Sequence, residues 1–234
     1  MLVSTRLKLG YLGAAALDTW LCGSSLRAAR VARLVTKPAL MPLLASSFAT
    51  SGRAIGSPLR ATTLAGQAFG WGGDVALLGH GTRAFALGAG AFGVGHAAYI
   101  GGFVRQRSAS PFFRAGSTRA ALRLWAVAGP AMALAAARQE RVLGPAVAAY
   151  TGLLTGTFAT GCHLDASLPP SARRLTALGA GLFLLSDTVL GARQFVLPLL
   201  PVDAPPRLHA ALERVVMGSY TAAQLLLAEG AARA

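Results

Sequence analysis

The sequence predicts an all-α fold, a polytopic membrane bundle of about eight transmembrane helices that takes in residues 1–234 as one domain. Two observations predict it. Hydrophobic residues make up 54% of the chain and charged residues only 13%, about half the charged share of an ordinary soluble domain. The apolar residues also gather into runs near the roughly 20 residues that a bilayer core requires, with arginines mostly between them. Ala, Leu and Gly dominate these runs, and small residues let membrane helices approach closely.

The first run, Leu9 to Leu26, follows Arg6 and Lys8 as a signal peptide would. Equivalent runs follow along the whole chain, so it reads as a first span. The second, Leu34 to Thr50, is the weakest, with Lys37 and Pro38 near its start. The third is Ala61 to Gly79, the fourth Ala84 to Val104, the fifth Ala120 to Ala137 and the sixth Val142 to Cys162. The seventh runs from Leu175 to Leu190 and the eighth from Ala210 to Ala228. In lipid each must be helical, because only a helix satisfies all its own backbone hydrogen bonds. The longest connections are Arg105 to Arg119 and the proline-rich stretch Gly191 to His209, which leaves no extramembrane domain.

A net charge of +14 would suggest nucleic acid in a soluble protein. Here the cations flank apolar runs, as in Arg27, Arg30, Arg33 and Lys37, or Arg105, Arg107, Arg114 and Arg119. Such residues anchor helices at anionic headgroups. The expected partner is the lipid bilayer and not nucleic acid, in a multi-pass protein of the cell membrane. Lys and Arg slightly favour the side of both termini, which leans them toward the cytoplasm. Cys22 and Cys162 form no Cys-x-x-Cys motif and read as small buried apolar residues.

Ionisable groups inside spans are functional hypotheses by default, because each costs a few kcal/mol there. Asp74 and Asp187 qualify, both in the later half of odd-numbered spans and so at one depth. His96 and Tyr99 in the fourth span, and Tyr220 and Gln224 in the eighth, reach toward that depth, with Gln67 two turns before Asp74. Lys37 lies at the same face and would give one polar pocket a cationic rim. The bland alternative is that these groups only bond helices together, at about 0.6 kcal/mol each. Asp18, near the end of the first span, reads as structural or interfacial. The histidines His80, His96, His163 and His209 show no metal-binding spacing, so no metal is expected.

Spans three and seven share a small residue before aspartate and an Asp-x-x-Leu pattern: Gly73, Asp74 and Leu77 against Ser186, Asp187 and Leu190. A four-plus-four duplication would put these helices in matching positions. In a chain this rich in Gly, Ala and Leu, coincidence is the simpler reading.

Five stretches in order carry a further resemblance. They are Thr36-Lys37-Pro38-Ala39-Leu40-Met41-Pro42, Gly73-Asp74-Val75, Phe92 through His96 to Tyr99 and Ile100, Phe183 through Ser186 and Asp187, and Tyr220 with Ala223 and Gln224. The set resembles the YhhN-like lysoplasmalogenase family over nearly the whole chain. The resemblance implies an eight-helix membrane hydrolase that cleaves the vinyl ether bond of lysoplasmalogens or a related lysolipid. It would release a fatty aldehyde and a glycerophospho-headgroup, with no cofactor.

The candidate residues suit that chemistry. Proton transfer to the carbon beta to the ether oxygen gives an oxocarbenium ion; water adds, and the hemiacetal collapses. Asp74 and Asp187 are the candidate catalytic pair, one donating the proton and the other stabilising the cation or orienting water. His96, Tyr99, Ser186, Tyr220 and Gln224 are candidate substrate-binding or water-holding groups, and Lys37, with Arg33, would hold the phosphate. The alternative is a small-solute transporter that uses the same aspartates as a proton relay, with a helix break at Gly72-Gly73.

Overall fold

In the computed structural model of the chain, residues 2–201 and 204–234 are described. Met1, Val202 and Asp203 of the expected single domain lie outside them. Eight α-helices follow one another: α1 (Leu2–Leu21), α2 (Arg27–Ala49), α3 (Arg60–Ala76), α4 (Gly81–Arg105), α5 (Gly116–Gln139), α6 (Leu143–Gly161), α7 (Pro170–Gly191) and α8 (Pro206–Ala231). No strand occurs among the described residues, and one isolated bridge, Arg107 to Leu164, ties the α4–α5 connection to the α6–α7 connection.

Three helical segments are long and apolar enough to cross a membrane: Gly81–Arg105, Gly116–Gln139 and Pro170–Leu199, the last being α7 with its irregular extension. The other helices carry more charge or less apolar length. Arg6, Lys8 and Asp18 lie in α1, and α3 has only 17 residues. Outward faces are nonetheless apolar: Val127, Leu134 and Leu178 are more than half exposed. Large apolar side chains left exposed on membrane-length helices suit a lipid neighbour. The architecture is that of a helical membrane bundle.

Helix α2 begins at Arg27, seven residues before the expected second span, so Arg27, Arg30 and Arg33 are helical residues that precede the apolar run. Hydropathy marks where a span turns apolar, whereas arginine is a good helix former and continues the helix. Pro38 and Pro42 lie inside α2. Pro42 has no N–H to give the carbonyl four residues earlier, and the Trp71 indole N–H fills that role by donating to the Pro38 oxygen at 3.0 Å.

Helices pair as hairpins, α1 with α2, α3 with α4, α5 with α6, and α7 with α8. The α2–α3 and α6–α7 contacts correspond under a shift of four helices, as do α4–α6 and α8–α2. Helices α3 and α7 thus share part of their neighbour pattern, whereas the α1–α8 and α3–α8 contacts have no counterpart of like extent. Glycine permits the closest approaches. A Cβ on Gly73 would stand 2.5 Å from the Phe92 ring, and one on Gly66 would stand 2.6 Å from that of Tyr99. On α7, a Cβ at Gly179 would meet the backbone nitrogen of Leu227 at 2.9 Å.

Because backbone cannot rotate away as a side chain can, Gly179→Ala is expected to force α7 from α8 at a cost of about 1–3 kcal/mol. Gly13, whose added Cβ meets nothing within 4 Å, is the control, and Gly13→Ala leaves the melting temperature unchanged or raises it. Thermal unfolding of both variants in one detergent checks the difference.

Candidate functional site

Two chambers meet inside the bundle. The first is polar, about 510 Å³. Asp74 and Asp187 both line it, with Lys37, Ser186 and Tyr220. Arg33, Arg193, Glu140 and Glu213 add charge farther along the wall. The second is apolar, about 460 Å³, bounded by residues such as Phe85, Phe92, Trp125, Met132, Val147 and Leu154. Asp187 lines both chambers, together with the apolar side chains Leu77, Phe85, Phe92, Leu143 and Leu190. Asp74 lines only the polar one.

Each aspartate is held from two neighbouring helices. Asp74, on α3, is 2% exposed. It accepts a 2.7 Å hydrogen bond from the Tyr220 hydroxyl of α8, and the Lys37 ammonium of α2 stands 3.8 Å away. Asp187, on α7, accepts a hydrogen bond from the Tyr150 hydroxyl of α6. His96 of α4 brings Nε2 to 3.8 Å from the same carboxyl oxygen. The four-helix shift that relates α3 to α7 also relates α2 to α6 and α8 to α4, so the two carboxyl groups have equivalent supports with different chemistry. One partner of Asp74 is a cation, whereas Asp187 faces a phenol and an imidazole.

Other expected site residues are placed differently. Ser186 lines the polar chamber, but its hydroxyl donates to the Val216 carbonyl at 3.0 Å and so holds α7 to α8. Tyr99 and Gln224 line neither chamber; the Tyr99 hydroxyl donates to Gln224 Oε1 at 2.9 Å, deeper in the bundle. This bond joins α4 to α8. Lys37 is 8% exposed. It sits in mid-helix as a counterion to Asp74, not at an outer rim. Gln67 is fully buried, with both amide atoms unpaired.

Asp18 is fully buried and accepts bonds from Thr36 Oγ1 at 2.6 Å and Arg33 Nε at 3.3 Å. Arg33 also donates to Glu213 at 2.6 Å, and Arg193 reaches Glu213 at 3.3 Å. The Arg33 guanidinium is therefore already matched by two carboxylates. His163, in the α6–α7 connection, bonds the Ser110 carbonyl at 3.0 Å. Two residues on, hydrogen bonds from the Ser167 backbone and hydroxyl hold the Asp165 carboxyl below its usual range. Among the described residues no three His, Cys, Asp or Glu side chains gather as a metal site.

Tyr150 and Thr157 went unnoticed in the sequence. Tyr150 carried a signal, since the chain has only four tyrosines and each lies in an apolar run, where a phenol needs a polar partner. Thr157 carried none among so many small residues.

The family model of the YhhN family matches residues 32–231. The chain belongs to this family. The matched stretch contains Lys37, Asp74, His96, Tyr150, Asp187 and Tyr220, the groups that meet around the two carboxyls. Comparison with curated proteins and with solved structures finds no match.

Removing one partner of a buried ion pair strands the other, at about 3–5 kcal/mol. Arg33→Met is accordingly expected to destabilise the bundle far more than Lys8→Met, which disrupts the more exposed pair with Glu229. Adding Asp18→Asn to Arg33→Met restores part of the loss. A double-mutant cycle on melting temperature checks both statements.

Proposed function

We propose that the protein is an eight-span, multi-pass enzyme of the cell membrane that hydrolyses the vinyl ether bond of a lysoplasmalogen or related lysolipid. The observation that carries this reading is the joining of a charged chamber to an apolar one at Asp187, within a family member. A single-chain lysolipid has that division, a polar headgroup and one long apolar tail. Its ether bond lies between them. With the headgroup in the polar chamber and the tail in the apolar one, the reacting carbons come to the junction.

Facing cations and carboxylates on the chamber wall suit a zwitterionic headgroup. Lys37 offers its charge to the phosphate while still neutralising Asp74. Asp74 and Asp187 are the proposed catalytic pair. Tyr220 and His96 orient them; Ser186 fixes α7, which carries Asp187, and the Tyr99–Gln224 bond joins α4 to α8, the helices that carry His96 and Tyr220. The transporter reading, which uses the same aspartates, loses the helix break expected of it, because α3 runs unbroken through Gly72 and Gly73.

Asp74→Asn and Asp187→Asn are each expected to insert and fold but lose vinyl ether hydrolysis by about 10²–10⁴-fold, the usual scale of acid–base catalysis. If the carboxyls act as a unit, the double variant is little worse than either single one. Aldehyde release from a lysoplasmalogen, read beside melting temperature, checks this. Near-normal release from either single variant would overturn the paired-carboxyl mechanism.

A further inference from the structure

The two carboxyl groups differ in what their neighbours do with a proton. The Thr157 hydroxyl donates to the Leu153 carbonyl at 3.0 Å. Its oxygen stands 3.0 Å from His96 Nδ1. A hydroxyl has a single hydrogen to give; when it goes to Leu153, Nδ1 is the donor to Thr157 and a neutral ring carries no hydrogen on Nε2. Nε2 is a buried atom with no hydrogen-bond partner, and it points at Asp187 Oδ2 from 3.8 Å. A bare lone pair facing a carboxylate would repel it. A proton between the two turns that repulsion into attraction, and catalytic contacts of this kind commonly tighten only when substrate is bound.

The rest of the surroundings agree. Tyr150 donates to Asp187 and takes no proton from it. Lys37 stands beside Asp74. Tyr220 of α8 is likewise committed to Asp74. Arg33, Arg193, Glu213, Glu140 and His80 line the remaining polar wall, and Glu213 is bonded to both arginines. A cation thus stands beside Asp74, whereas among the described residues the side chains that contact the Asp187 carboxyl are the Tyr150 phenol and the His96 imidazole, and Asp187 lies against the apolar chamber.

We infer that Asp187 and His96 together hold one proton and form the acid of the reaction, with Asp74 as the permanent anion. The inference rests on the proposed vinyl ether hydrolysis. The pair gives its proton to the carbon beta to the ether oxygen; the alkene electron pair forms the C–H bond and leaves an oxocarbenium ion facing the Asp74 carboxylate. Water forms a C–O bond to the cationic carbon and returns a proton to the pair. The hemiacetal then breaks its bond to the glycerol oxygen, its hydroxyl proton passes to that oxygen, and a fatty aldehyde and a free hydroxyl remain. Tyr150 is a positioning residue for Asp187.

The full-length purified protein tests this with a lysoplasmalogen across pH. Asp187→Asn, which lacks the internal acid, is expected to gain rate about tenfold for each unit that pH falls, as hydronium replaces the missing donor. Asp74→Asn is expected to stay low throughout. His96→Asn, which keeps a group to bond Thr157 but removes Nε2, is expected to lose turnover and, like Asp187→Asn, to regain part of it as the medium is acidified, so that its activity fall is moved relative to wild type. Acid rescue of Asp74→Asn and not Asp187→Asn, or an unmoved fall in His96→Asn, would overturn the assignment. Imidazole ¹⁵N resonances of substrate-free protein separate this from the functional reading. If no lysolipid is hydrolysed, that reading fails, while a His96 Nε2 resonance that changes in Asp187→Asn upholds the shared proton and an unchanged one rejects it.

Discussion

A carboxylate placed among apolar helices keeps its charge only beside a cation or hydrogen-bond donors, and in this bundle that requirement dictates which helices meet. Asp18 on α1 draws in Arg33 and Thr36 of α2. Arg33 in turn reaches Glu213 on α8, and Glu213 takes Arg193 from the turn after α7. Asp74 on α3 draws Lys37 from α2 and Tyr220 from α8. The weak hydrophobic drive between helices in lipid leaves close packing and polar contacts to choose partners. Glycine supplies the first at Gly66, Gly73 and Gly179, and these carboxylates supply the second.

The same requirement shapes the surroundings of the two chamber carboxyls. Asp74 and Asp187 are each held from two neighbouring helices, but the residues presented differ. Asp74 has a lysine and a tyrosine, Asp187 an imidazole and a tyrosine. The two settings therefore differ in fixed charge, and the apolar chamber opens beside the second.

The sequence by itself determined the helical class, the approximate position of every helix and the membership of the family. Lipid offers the backbone no hydrogen bonds, so long apolar runs have to be helices, and the ordered motifs around Lys37, Asp74, His96, Asp187 and Tyr220 remain readable in a single chain. It also singled out Asp74 and Asp187, which line one chamber. Tertiary structure decided the rest. It extended α2 back to Arg27, gave Tyr150 to Asp187, gave Thr157 to His96, and turned Tyr99 and Gln224 toward each other and away from the chambers. It also turned Lys37 from an expected rim into the counterion of Asp74. Spacing along a chain fixes which face of one helix a side chain occupies, but not which helix lies opposite. Those partners are separated by 37 to 125 positions, and only the packing of whole helices brings them within bonding distance.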